Sequence, residues 1–232
     1  MSFPPHGVII TAAGNSTRFN GGDSHTPKKK EFELLDDRSV LYYATLPFLS
    51  IPELKYLVVT YGEGLKEETE VALDNLLYTS DIPVILVEGG ANRQESVLRG
   101  LEAIEESGVS IDYLLIHDGA RPWVSEALII STLATATVFG GAAPALYLHD
   151  AIKRVNSEGE IVDHIDRNPL VGIQTPQAFR FPEILYAHRV AINSGKYYFD
   201  DTEIFSDFGL KVGVCAGERA NRKITILDDM EG

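Results

Sequence analysis

A single cysteine, Cys215, is all the chain carries among its 232 residues. That excludes an intrachain disulfide and a cysteine-built zinc site. Cys215 sits in the apolar run "KVGVCAG" and is expected to be a buried strand residue, as free cysteines usually are. A reducing, cytoplasmic setting fits. Basic residues are scarce: 20 Lys and Arg stand against 34 Asp and Glu, for a net charge of −14. The deficit argues against nucleic acid and anionic membranes as partners, because their nonspecific attraction comes from basic side chains. No apolar run approaches the roughly 20 residues that cross a bilayer. The opening "MSFPPHGVII" has no basic region or cleavage-site pattern, so no signal peptide is read there. Neither G-x-G-x-x-G nor G-x-x-x-x-G-K-[ST] occurs, which argues against a dinucleotide-binding dehydrogenase and a P-loop enzyme.

What is present is an ordinary globular composition, 44% hydrophobic and 23% charged. Short apolar runs at 8–11, 56–60, 84–87, 113–117, 142–146 and 212–215 predict strands. Helical spacing predicts helices over 40–49, 65–79, 93–107, 126–139 and 182–194. In the third strand-to-helix unit, Val97, Leu98, Leu101 and Ile104 share a face, with Asn92 to cap the start and Gly108 the end. Alternating fully apolar strands and helices predict an α/β fold with a mostly parallel sheet covered on both faces. No composition shift marks a linker, so residues 1–232 are read as one domain. Two strand-like pieces, 152–155 and 161–164, flank Ser157-Glu158-Gly159 and read as a β-hairpin. Residues 147–173 are therefore expected to form a protruding arm that dimerises the chain.

An acidic protein that binds phosphates must gather its few cations locally. After the first strand comes "TAAGNSTRF". Ala12, Ala13 and Gly14 carry little side chain, so backbone N–H groups can meet phosphate oxygens or a base. Arg18 can add a bidentate phosphate contact. The stretch "SHTPKKKEF" places Lys28, Lys29 and Lys30 shortly after. The loop lies beyond the carboxyl end of a strand, where open α/β sheets bind ligands.

These residues, "AAGNSTRF…PKKKEF", resemble the signature A-A-G-x-G-x-R-M…P-K-Q-[FY] of the 2-C-methyl-D-erythritol 4-phosphate cytidylyltransferases. They are also similar to the pentitol-phosphate cytidylyltransferases. "EGGANRQESVLRGL", "IHDGARPWV", "HDAIKRV", "DRNPLVGIQTPQAF", "DDTEIFSDFG" and "NRKIT" follow in family order, so the resemblance spans about residues 8–225. It implies a Rossmann-like nucleotidyltransferase that joins CTP to a sugar-alcohol phosphate, with Mg²⁺, and releases pyrophosphate.

By resemblance, Arg18 and Lys30 stabilise the transition state, with Lys28 as the alternative lysine, while Arg167 and Lys223 position the attacking phosphate. Ala12, Ala13, Gly14, Asn15, Gly90, Ala91 and Ser96 form the nucleotide side, and Arg93 braces its loop. Asp118, Arg121 and Thr175 recognise the acceptor. If the hairpin is the family's arm, Arg167 acts in the neighbouring subunit's site. His117 is read as structural.

The acceptor side departs from the family pattern. Ala151 stands where D-T-[IM]-K has threonine, and Phe199 precedes Asp200 and Asp201 where T-D-[DE] has a hydroxyl. Ala91 replaces an aspartate beside the glycine pair. At this point the acceptor is 2-C-methyl-D-erythritol 4-phosphate, with ribitol 5-phosphate or a related pentitol phosphate as the alternative and a noncatalytic nucleotide binder as a third reading.

Overall fold

The computed structural model describes residues 3–14, 16, 19 and 29–230. The chain runs β1 (His6–Ala12), β2 (Leu34–Leu35), β3 (Arg38–Ser39), α1 (Val40–Leu49), β4 (Leu54–Tyr61), α2 (Lys66–Leu73), α3 (Leu76–Thr79), β5 (Val84–Glu88) and α4 (Arg93–Glu106). It continues β6 (Tyr113–Asp118), α5 (Glu126–Phe139), β7 (Gly141–Tyr147), β8 (Ile152–Val155), β9 (Ile161–Ile165), β10 (Val171–Ile173), β11 (Gln177–Arg180), α6 (Phe181–Ser194), α7 (Asp201–Asp207) and β12 (Val212–Ala216).

The main sheet has the order β12-β7-β11-β6-β1-β4-β5, with β10 also paired to β7. β1, β4, β5 and β6 are mutually parallel and β12 is parallel to β7. The expected mostly parallel sheet is therefore present, but β11 runs antiparallel between β6 and β7. Alternation along the strands divides two cores. Val8, Ile10, Leu57, Val59 and Leu115 pack with Leu41, Leu128, Ile129 and Leu133 of α1 and α5. Ile9, Val58, Leu114 and Ile116 pack with Val97, Leu101 and Ile104 of α4, Ile184 of α6 and Phe205 of α7. Each such fully buried aliphatic side chain contributes about 1.5–3 kcal/mol by leaving water. That anchors the strand ends from both faces.

Two expectations need correction, and a third holds. The helix expected over 65–79 is broken, because Asp74 takes φ +50° and donates its N–H back to Glu70 and Val71, which stops α2. Cys215 lies on β12 but is only half-buried, because β12 is an edge strand; its Sγ is 3.5 Å from Thr132 Oγ1. The expected hairpin is present as β8 and β9, and these form a separate two-stranded sheet. It leaves Val155, Ile161 and Val162 exposed.

Candidate active site

The parallel strands end in register. Thr11 pairs with Asp118, Ala12 with Tyr61, and Tyr61 with Glu88. The loops after β1, β5 and β6 therefore meet at one edge of the sheet. They enclose a cavity of about 340 Å³ lined by Ala13, Gly14, Lys30, Gly90, Ala91, Arg93, Ser96, Asp118 and Lys223, among others.

Small residues let these loops approach. A Cβ on Gly89 would lie 2.4 Å from the Ala13 methyl and 2.7 Å from Ser96 Oγ, so the β1 and β5 loops touch only because residue 89 is glycine. The next loop is tied to the start of α4. Asn92 caps the helix by accepting from Glu95 N–H at 2.9 Å, and Glu95 reaches back to accept from Ala91 N–H at 3.0 Å. Ser96 accepts from Gly90 N–H at 3.1 Å and donates to the Asn92 carbonyl at 2.8 Å. Its proton is committed, so Ser96 acts on a ligand mainly through the shape of the loop.

The lysine run divides its work. Lys30 opens a short 3-10 turn and is buried, with Nζ donating to the Ile224 carbonyl at 2.8 Å on the cavity wall. Lys29 turns the other way. Its Nζ donates to the Ala12 carbonyl at 3.1 Å and to the Gly14 carbonyl, fastening the loop after β1 from behind. Burial lowers its pKa. The sequence singles out Lys28 and Lys30; the partners of Lys29 are backbone carbonyls, which no motif displays. Asn15, Arg18 and Lys28 lie outside the described residues.

Asp118 is the hub of the cavity floor. Its Oδ2 is 2.9 Å from Lys223 Nζ and 3.3 Å from Arg121 Nε, and its Oδ1 is 3.9 Å from Arg93 Nε. Burial opposes its charge, but Lys223, Arg93 and Arg121 overrule it and hold the carboxyl far below the usual carboxylate range. Arg121 also donates to the Asn221 carbonyl at 2.8 Å and does not line the cavity. Thr175 is likewise behind the wall. It accepts from Asp118 N–H at 3.1 Å and contacts His117 Nδ1 at 3.0 Å.

The His117 tautomer follows. The Arg121 carbonyl, 3.2 Å from Nε2, can only accept, so Nε2 carries the proton and Nδ1 accepts from Thr175. Burial lowers the His117 pKa to about 4, against the opposing pull of Asp118. His117 thus has partners on both nitrogens and braces the strand end that presents Asp118.

Other residues lie elsewhere. Ala12 is buried and contributes its carbonyl to Lys29. Arg167 is on the arm, where it donates to the His149 carbonyl, and it does not line the cavity. Tyr197, which the motifs do not mark, does line it. Among the described residues, no group of three or more His, Cys, Asp or Glu could hold a metal ion, and no helix is long and apolar enough to cross a membrane.

Known proteins match the chain in sequence and fold. The model of the family "IspD: 2-C-methyl-D-erythritol 4-phosphate cytidylyltransferase" matches residues 7–231. The chain is 33% identical over 225 residues to the 2-C-methyl-D-erythritol 4-phosphate cytidylyltransferase of Clostridium novyi, covering 96% of this chain and 92% of that one. It is 38% identical over 231 residues to the bifunctional enzyme IspD/IspF of Rhodopseudomonas palustris, covering 99% of this chain and 55% of that one. The crystal structure of 2-C-methyl-D-erythritol 4-phosphate cytidylyltransferase from Thermus thermophilus superposes with a TM-score of 0.74 at 26% identity, covering 96% of this chain and 94% of that one. By sequence and fold, the chain belongs to the 2-C-methyl-D-erythritol 4-phosphate cytidylyltransferase family.

Proposed function

We propose that the chain transfers the cytidylyl group of CTP to 2-C-methyl-D-erythritol 4-phosphate, giving 4-diphosphocytidyl-2-C-methyl-D-erythritol and pyrophosphate, a step of isoprenoid precursor synthesis in the cytoplasm. The observation that carries this reading is the convergence of Lys30, Arg93 and Lys223 on one cavity beside the small-residue loops, in a chain of this family.

The chemistry asks little of acid–base groups. An oxygen of the acceptor phosphate attacks the α-phosphorus, and the bond to the bridging oxygen breaks as pyrophosphate leaves. The nucleophile is already an anion, so positioning and charge stabilisation carry the rate. Gly14, Gly90 and Ala91 leave room for the nucleotide against backbone. Lys30 faces the charge that develops on the phosphates, and Lys223, held by Asp118, faces the acceptor phosphate. Arg18 would join Lys30 on the same charge.

Mg²⁺ fits this cavity as an ion held largely by CTP. Among the described residues, the carboxylates that line the cavity are Asp118 and Glu31. Asp118 Oδ2 is taken by cations, and Glu31 accepts from Ser16 at 3.2 Å. Mg²⁺ commonly relies on substrate phosphates and water with one or two carboxylates, and Asp118 and Glu31 are the carboxylates within reach. When bound, the ion neutralises phosphate charge.

The arm supports a homodimer. Tyr147, Val155, Ile161 and Val162 are 72%, 58%, 57% and 55% exposed. A second copy would cover them and receive Arg167 beside its acceptor phosphate. Incubation with CTP, Mg²⁺ and the methylerythritol phosphate, followed by mass spectrometry, tests the reaction. The expected product is the CDP-alcohol with one pyrophosphate per turnover; unchanged CTP would overturn the reading.

A further inference from the structure

Behind the cavity, three helices meet at one carboxylate. Asp201 opens α7, His188 lies on α6, and Arg93 opens α4. His188 Nε2 is 3.1 Å from Asp201 Oδ1, and Arg93 Nη2 is 2.6 Å from Asp201 Oδ2. The side chains of His188 and Asp201 are 0% exposed, whereas that of Arg93 is 28% exposed and lines the cavity.

An ionised carboxylate only accepts, so His188 Nε2 carries the proton. Burial opposes the Asp201 charge, but Arg93 and the His188 hydrogen bond hold its pKa at about 2. The other ring nitrogen of His188, Nδ1, is buried with no hydrogen-bond partner among the described residues. A position chosen for packing alone would favour an apolar side chain, because a bare buried nitrogen costs desolvation. The single bond to Asp201 is what the imidazole supplies.

That bond settles which oxygen Arg93 receives. With Oδ1 occupied by His188, Asp201 offers Oδ2 to Arg93, and the guanidinium lies with Nε 3.9 Å from Asp118 Oδ1. Without His188, both oxygens are open to Arg93, and the carboxylate can rotate to a two-pronged pairing that draws the guanidinium back. Arg93 directly follows the Gly90–Asn92 loop, so its withdrawal would alter the nucleotide side of the cavity.

We propose that His188 is a positioning residue for nucleotide binding: by occupying one oxygen of Asp201 it fixes the Arg93 guanidinium at the wall of the cavity. The proposal rests on reading the cavity as a CTP site, but not on the identity of the acceptor.

The test compares His188→Gln with His188→Asn. Both lose the ring and its packing. Glutamine can place an N–H where Nε2 stood, and asparagine falls short. CTP affinity is measured by calorimetry with Mg²⁺ present, alongside thermal unfolding. The expected result is an affinity about tenfold weaker for H188N and within about twofold of the parent for H188Q, as for loss of a charged hydrogen bond. The two unfolding temperatures should be alike. In a D201N background the difference between the Gln and Asn variants should vanish. Equal CTP affinity of the two variants, or a difference that persists with D201N, would overturn the proposal. A parent chain that does not bind CTP would overturn the reading of the cavity and this proposal with it. A parent that binds CTP with the expected pattern yet ignores the methylerythritol phosphate would sink only the acceptor assignment.

Discussion

The ammonium of Lys223, beyond β12, lies 2.9 Å from Oδ2 of Asp118 at the end of β6. One side chain comes from the last tenth of the chain and the other from its middle. The cavity floor exists only once the sheet has assembled. Lys223 remains 35% exposed on its side chain, so it is paired without being sealed away from a ligand.

Lys223→Ala should therefore lower kcat by about 10²-fold, the usual loss on removing a group that faces developing or attacking charge. Asp118 keeps Arg93 and Arg121, so the fold should survive, as circular dichroism would report. Turnover near that of the parent would remove Lys223 from its role.

The neighbouring lysines should separate in kinetics. Lys30→Ala removes a cation from the cavity wall and should cost about 10²-fold in kcat. Lys29→Met removes the fastening of the Ala12 and Gly14 carbonyls. It should raise the KM for CTP about tenfold and leave kcat within about twofold. Initial rates at varied CTP distinguish these outcomes. A kcat loss for Lys29→Met equal to that of Lys30→Ala would contradict the division.

His117 gives stability a pH dependence. Its folded pKa, lowered to about 4 by burial, is below the ordinary 6.5 of the unfolded chain. Between these values the unfolded state binds more protons, so stability rises with pH and is lost as pH falls from 6.5 toward 4. The contribution is on the order of 3 kcal/mol at most. Denaturant titrations across that window should show the slope, and His117→Asn should reduce it. His6, whose pKa burial also lowers, would supply what remains. An unchanged slope in His117→Asn would contradict this assignment.

If Arg167 crosses to a second subunit, two inactive variants should complement. Mixed dimers of Lys223→Ala and Arg167→Ala chains hold one intact site and one doubly damaged site. Random mixing should restore about a quarter of parental activity, since half the dimers are mixed and each has one working site. No recovery, with exchange verified by mass, would put Arg167 outside the partner's site.

The longer strands and most helices were legible because their apolar spacing is strong and both faces of the sheet are buried, whereas the two- and three-residue strands β2, β3 and β10 are too short to show a spacing. The exceptions are local. β11 was missed because Gln177-Ala-Phe-Arg180 is short and follows a proline, and only its place between β6 and β7 makes it a strand. α7 was missed although Asp200 and Glu203 form a capping pair, with Asp200 accepting from Glu203 N–H and Glu203 from Phe199 N–H. That spacing marks a helix start where seven residues are too few for a periodic face. At the site, motif order located Lys30, Asp118 and Lys223 and marked Asp201, but not Lys29 or His188. The partners of Lys29 are two backbone carbonyls and that of His188 is a carboxylate on another helix, and neither leaves a spacing in the sequence. Thr175 and Arg121 were located too, but their place behind the cavity wall depends on His117 and Asn221, which only the fold brings together.

The most direct test of the account is pyrophosphate release with CTP and Mg²⁺, with 2-C-methyl-D-erythritol 4-phosphate and ribitol 5-phosphate offered in separate reactions. The account predicts turnover with the former and little with the latter, despite Ala151 and Phe199. Preference for ribitol 5-phosphate, or no pyrophosphate from either, would contradict it.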